Sequence, residues 1–64
     1  MKIFVGEHRR EQGLTIAELS SMSGVAGSHI HNIEAGIKVP TITTLCKLSK
    51  ALEVPCWELY TCED

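Results

Sequence analysis

The sequence predicts an all-α chain of five short helices, and three observations predict it. Glycine and proline fall at helix-length intervals, at Gly13, Gly24, Gly36, Pro40 and Pro55. Thr15-Ile16-Ala17-Glu18 has the form of a capping box, in which the threonine hydroxyl takes an orphan amide and Glu18 reaches back. Ile42, Leu45, Cys46, Leu48 and Leu52 recur at helical spacing.

Taken in order, the first helix is expected from about Ile3 to Gln12, ending at Gly13, a residue suited to the position after a helix end. Gly6 inside it reads as a weak point, costing about 1 kcal/mol relative to Ala. The second helix begins at Thr15 and ends near Ser23. Gly24-Val25-Ala26 then forms a tight turn, with Val25 as its apolar plug. The third helix covers about Gly27 to Ala35 and stops at Gly36, with Ile30 and Ile33 on its inner face. Helical spacing gathers Ser28, Asn32 and Ala35 on the opposite side, flanked by His29 and His31. After a loop, Thr41 caps the fourth helix. Pro55 opens a fifth, where its missing N–H is harmless, and that helix carries Cys56, Trp57, Leu59 and Tyr60.

A chain of 64 residues gives one domain, residues 1–64, with a helix-turn-helix core at about 15–35. A domain this small buries only about 60% of its unfolded surface, so the core is thin and a deep catalytic pocket is not expected. No nucleophile–base spacing stands out either, so the chain does not read as an enzyme. No apolar run approaches the roughly 20 residues needed to span a bilayer, and the first residues do not form a secretory signal. The expected location is the cytoplasm, in association with the nucleoid. Cys46, Cys56 and Cys62 are odd in number and widely spaced, which reads as free thiols in a reducing compartment. There is no CxxC, so neither a metal nor another cofactor is expected.

The formal net charge is −2, but it is unevenly placed. Residues 1–50 carry six Lys and Arg against four Glu, a balance of +2, while residues 51–64 carry four acidic side chains and no Lys or Arg. A basic portion with an acidic far end is compatible with DNA binding, because the local field matters more than the sum. Two short helices joined by a Gly-containing turn form a helix-turn-helix. The second helix of such a pair can place its outer face in the major groove, and its first-turn amides favour phosphate.

The residues Leu14-Thr15, Glu18-Leu19, Gly24-Val25, Ile30, Ile33-Glu34, Gly36, Pro40-Thr41, Leu45, Leu48, Ala51-Leu52 and Val54 stand in a register that resembles the phage-repressor and Cro-type helix-turn-helix family, also called the XRE family. The resemblance runs from about residue 2 to residue 60. It implies a compact five-helix, lambda-repressor-like bundle and a double-stranded DNA-binding transcriptional regulator that needs no cofactor. It also implies a structural ion pair between Arg9 and Glu34, and base contacts from Gly27, Ser28, His31 and Asn32. Asn32 suits a bidentate bond to an adenine edge and Ser28 can serve several bases. His31 can also meet phosphate. Lys38 is the natural phosphate contact, followed by Arg10, Thr41 and His29.

The chain departs from the family pattern at Ile16, Ala26 and Gly27, where polar residues are usual. The alternative reading is therefore a protein-interaction module of the same fold, antitoxin-like or an accessory subunit, with weak or absent DNA binding. Phe4 and Trp57 are expected to pack the first helix against the fifth. Ile16, Met22 and Ile37 are expected away from the main core. A homodimer is expected, through the C-terminal helix, because one small module makes few contacts and a two-fold pair reads two half-sites.

Overall fold

A computed structural model describes residues 1–62. Strand β1 (Lys2–Ile3) leads into four helices: α1 (Val5–Glu11), α2 (Ile16–Ser23), α3 (Gly27–Glu34) and α4 (Ile42–Leu52). A 3₁₀ helix (Cys56–Leu59) and strand β2 (Tyr60–Thr61) follow. The two strands pair antiparallel, Lys2 with Thr61 and Ile3 with Tyr60.

The helix starts are set locally. At α2 the Thr15 hydroxyl accepts from the Glu18 amide at 3.0 Å, and the Glu18 carboxylate accepts from the Thr15 amide at 2.8 Å. At α4 the Thr41 hydroxyl accepts from the Thr44 amide at 3.1 Å. The helix ends close by a recurring pair of backbone bonds. Gly13 donates to Arg10 and Leu14 to Arg9; Gly36 donates to Ile33 and Ile37 to Asn32. Both follow the Schellman pattern, which needs a left-handed residue that glycine supplies at no steric cost. α4 ends the same way with Glu53 in that position, at φ 58°. Its carbonyl end gains a further donor: Gln12 Nε2 bonds the Leu52 carbonyl at 2.6 Å, tying α1 to the far end of α4.

The core gathers one apolar face from every helix: Val5 from α1, Leu19 from α2, Ile30 and Ile33 from α3, Leu45, Leu48 and Leu52 from α4, and Leu59 from the 3₁₀ helix, with Val25 from the turn. Isolated helices of seven to eleven residues are not stable in water, so this shared burial holds them.

Five expectations are corrected. Ile16, expected away from the main core, is half-buried and packs against it, because the start of α2 lies close to α3 at Gly27. The fifth helix is a single 3₁₀ turn, because Tyr60 is already extended (φ −154°, ψ 158°) and pairs with the N-terminal strand. The first helix starts at Val5 rather than Ile3 for the same reason: Ile3 belongs to the strand pair, and the Phe4 amide bonds the Leu59 carbonyl at 2.8 Å. Ile42 and Cys46 are exposed rather than part of the apolar stripe of α4, and Ile42, at 68% exposure, lies in the first turn, beyond cover from the bundle. Trp57 does not join Phe4 in packing the ends together; it is 69% exposed.

Among the described residues, the longest-range bond between two side chains is the ion pair of Arg9 and Glu34. Arg9 Nε bonds Glu34 Oε2 at 2.9 Å and Nη2 bonds Oε1 at 3.0 Å, a bidentate fork. Nη1 donates to the Leu14 carbonyl at 2.8 Å. The side chains are only 13% and 12% exposed. Bonding to Glu34 pushes the Arg9 pKa up, burial opposes it, and the carboxylate charge adds to the rise. Removing one partner strands a largely desolvated charge, whereas removing both does not. Arg9→Ala is expected to lower stability by about 3 kcal/mol, and the double change Arg9→Met with Glu34→Leu to recover most of that loss. Urea unfolding of the three proteins checks this; a double variant no more stable than Arg9→Ala would contradict it.

Candidate nucleic-acid interface

The turn between α2 and α3 is built from backbone and two serines. Gly24 takes φ 75°, and its amide bonds the Ser20 carbonyl at 2.9 Å. Ser20 Oγ donates to the Val25 carbonyl at 2.7 Å, and the Val25 amide donates to Ser23 Oγ at 3.2 Å. With both backbone groups satisfied, Val25 sinks its side chain into the core at 7% exposure. That anchor fixes where α3 starts.

α3 begins at Gly27 with Ala26 as an N-cap that makes no side-chain capping bond. An uncapped helix start leaves first-turn amides open to an external acceptor. A Cβ on Gly27 would stand 3.5 Å from Ile16 Cγ2, an ordinary contact. The start of α3 therefore lies against Ile16 in the first turn of α2.

Ile30 and Ile33 hold one side of α3 in the core. On the other side Ser28, His31 and Ala35 are exposed, and Gly27, His29 and Asn32 are half-buried. At about 100° per residue, Ser28, His31, Asn32 and Ala35 fall within roughly a 100° arc. Among the described residues, no intramolecular hydrogen bond occupies the side chains of Ser28, His29, His31 or Asn32.

The loop after α3 folds back on the same helix. The amides of Ile37 and Lys38 both donate to the Asn32 carbonyl, at 2.9 and 3.2 Å. One carbonyl thus brings the segment carrying the exposed Lys38 against Asn32. Arg10 is exposed on α1 and meets Glu7 at 3.4 Å, an exposed pair of little weight. Arg10 Nη1 and Glu34 Oε1 would each stand 3.1 Å from a Cβ at Gly6, so Arg10 lies near the C-terminal end of α3. The Thr41 hydroxyl is committed at the start of α4: besides accepting from the Thr44 amide, it donates to Thr44 Oγ1 at 3.1 Å. Sequence reasoning had no signal for the serine bonds of the turn, for the double use of the Asn32 carbonyl, or for Val39, which is 73% exposed beside Lys38. Of the acidic end, Glu53 is exposed and Glu58 half-buried, while Glu63 and Asp64 lie outside the described residues.

Comparison with known proteins gives this geometry a family. A helix-turn-helix family model matches residues 5–56. The chain belongs to the Cro/XRE-type helix-turn-helix family. It is 41% identical over 56 residues to an uncharacterized HTH-type transcriptional regulator, y4dJ, of Sinorhizobium fredii, covering 88% of this chain and 73% of that protein. It is 33% identical over 61 residues to the HTH-type regulator SinR of Bacillus licheniformis, covering 94% of this chain and 55% of that protein. With the HTH-type regulator SlrR of Bacillus subtilis it shares 37% identity over 57 residues and spans 38% of that protein. In structure it is similar to the restriction-modification controller protein C.AhdI of Aeromonas hydrophila, with a TM-score of 0.84 at 28% identity over 88% of this chain and 85% of that one.

The turn and the start of α3 differ in what replacement does. Ser20→Ala is expected to cost about 1 kcal/mol, the worth of one part-buried hydrogen bond. Gly27→Ala is expected to stabilise by about 0.4–1 kcal/mol, because the site has room for a Cβ and the unfolded chain loses freedom. Urea midpoints measure both; a destabilised Gly27→Ala would mean that α3 and α2 sit closer than described.

Proposed function

We infer that this chain is a DNA-binding transcriptional regulator that reads duplex sequence by placing α3 in the major groove. The observation that carries the reading is the outer arc of α3: Ser28, His31 and Asn32 lie together with hydrogen-bonding groups unspent, on a helix whose opposite face is locked in the core. Asn32 reads an adenine edge and Ser28 an adjacent base, with His31 beside them and Gly27 allowing close backbone approach. Lys38 neutralises phosphate next to the reading helix, with Arg10 and His29 as further phosphate contacts. Thr41 contributes through its remaining acceptor capacity or its backbone, since its hydroxyl proton is engaged in the cap. Arg9 and Glu34 take no part in reading; they hold α3 in place.

The protein acts in the cytoplasm on nucleoid DNA, as a homodimer, on this reading. Among the described residues no helix is long and apolar enough to cross a membrane. A pair is favoured by the small reading surface of one copy and by the exposed Trp57 near the C-terminal end.

A second reading has its own support. Ile16 and Gly27 put apolar atoms where polar contacts to phosphate are usual, and Ile37, Val39 and Ile42 are 67%, 73% and 68% exposed around the loop after α3. An apolar cluster of this kind marks protein contact surfaces. On that reading the same fold serves as an antitoxin-like or accessory interaction module.

Selection from a random duplex pool at moderate salt separates the two. The DNA-binding reading expects a consensus, relaxed at one base position by Asn32→Ala at a cost of about 1–3 kcal/mol. Lys38→Ala is expected to weaken all duplexes alike and to reduce the slope of log K against log salt by about 1. A pool with no enrichment over its starting composition would favour the interaction module.

A further inference from the structure

The loop after α3 holds an isoleucine in water beside the outer arc of that helix. Ile37 is 67% exposed. A lone exposed isoleucine is ordinary on any surface, but this one stands on fixed backbone. Gly36, at φ 78°, donates its amide to the Ile33 carbonyl at 3.2 Å. The Ile37 and Lys38 amides then converge on the Asn32 carbonyl at 2.9 and 3.2 Å. At the far end of the loop Pro40 is buried and the Thr41 hydroxyl caps α4. The segment is thereby tied at both ends, and Ile37 is held against the last turn of α3. Its amide nitrogen stands within about 6 Å of the Asn32 Cα, the reach of one hydrogen bond and two covalent bonds. That is less than two base-pair steps of about 3.4 Å each. Ala35, three residues beyond Asn32 and exposed, adds a methyl on the same side of the helix.

We propose that Ile37 is a specificity-determining residue that reads a thymine by packing on its C5 methyl, on either strand, within two steps of the adenine read by Asn32. On the DNA-binding reading, on which this rests, a duplex that meets Asn32 passes within reach of Ile37. An apolar side chain has one specific partner in the major groove. Every base pair shows donors and acceptors there, but only thymine shows a methyl group. A β-branched side chain suits that contact, because its χ1 is already restricted and little rotamer freedom is lost on packing. Lys38, the next residue and bonded to the same carbonyl, takes its charge to the phosphates flanking that step. The loop thus serves sequence through Ile37 and position through Lys38. The two contributions differ in kind. A methyl contact releases no counterions, so the part carried by Ile37 does not change with salt, while the part carried by Lys38 does. Val39 and Ile42, also exposed, follow Lys38 on the way into α4, so the assignment is to Ile37.

The test uses the full chain and the duplex selected from the random pool, with each thymine near the Asn32-dependent adenine replaced in turn by deoxyuridine. Deoxyuridine lacks the C5 methyl and keeps every pairing and groove hydrogen-bonding group. Fluorescence anisotropy is expected to show one thymine whose replacement weakens binding about fourfold, the worth of one buried methyl. Ile37→Ala, at an exposed position, is expected to keep the parent's urea midpoint and its slope of log K against log salt. It is expected to bind the thymine and deoxyuridine duplexes alike. Asn32→Ala is expected to relax its own adenine and still sense the methyl, and Ile42→Ala to behave as the parent. A pool with no consensus overturns the DNA-binding reading and this proposal with it. A consensus in which no single methyl matters, or no thymine lies within two steps of the adenine, overturns the proposal alone. So does an Ile37→Ala protein that still senses the methyl. An Ile37→Ala protein that binds the selected duplex as the parent does would assign the loop to a protein contact instead.

Discussion

The Arg9 guanidinium decides where the reading helix stands. Its fork grips the Glu34 carboxylate at the last residue of α3, and its third nitrogen holds the Leu14 carbonyl at the entry to α2. One side chain on α1 thereby fixes both ends of the α2–turn–α3 unit relative to the bundle. α3 has only eight residues, and Ser28 and His31 on its outer arc are exposed, so burial holds only part of its circumference. A helix so placed needs orientation from its ends. Val25 supplies it at the start through burial, and Glu34 supplies it at the finish through charge. The pair adds little net stability once desolvation is counted, and its value is angular.

That constraint gives Gly6 its meaning. In sequence Gly6 is a flaw in a helix, destabilising relative to Ala. In the structure it is buried, and a Cβ would stand 3.1 Å from Glu34 Oε1 and 3.2 Å from Glu34 Cδ. Glu34 is held by Arg9 and is not free to give way. The absence of a side chain therefore lets α1 approach the end of α3 closely enough for the fork to form. The local cost was legible from the residue; the tertiary reason was not, because nothing near Gly6 in sequence announces Glu34.

The same division runs through the rest of the chain. The capping box at Thr15, the cap at Thr41 and the glycine stops were legible because their causes lie within four residues of their effects. The 3₁₀ turn in place of a fifth helix was not, because its cause is the pairing of residues at opposite ends of the chain. Glu53 carries no turn signature, yet it takes the left-handed conformation because the Schellman bonds and the core beyond it require the chain to reverse there. Ile42 kept the period of α4 but fell outside the bundle, since periodicity gives a face and not the extent of what covers it. On the outer side of α3, the stripe of Ser28, Asn32 and Ala35 with His31 at its edge followed from helical spacing alone. The occupied hydroxyl of Thr41 and the link from Asn32 to the loop of Lys38 needed coordinates, because both depend on which backbone groups remain unpaired.

What the surface lacks shapes how it can act. Ile16, Ala26 and Gly27 leave the start of α3 without side chains to grip phosphate, but the same lack leaves its first-turn amides uncapped and near the surface. An uncapped helix start carries partial positive charge and open donors, which a phosphate oxygen satisfies as well as a serine cap would. Polar caps at that position would compete with the backbone for its own amides. The helix can therefore approach a duplex through backbone rather than side chains, with Lys38 adding mobile charge at its other end. Such an approach gives position more than affinity. With a net charge of −2 and few cations near α3, one copy gains little from counterion release, and on the proposed homodimer reading a second copy would place another α3 one helical turn away. The weakness of the single surface is thus the physical argument for the proposed pair: in it, specificity would come from requiring two modest readings at a fixed spacing rather than one strong one.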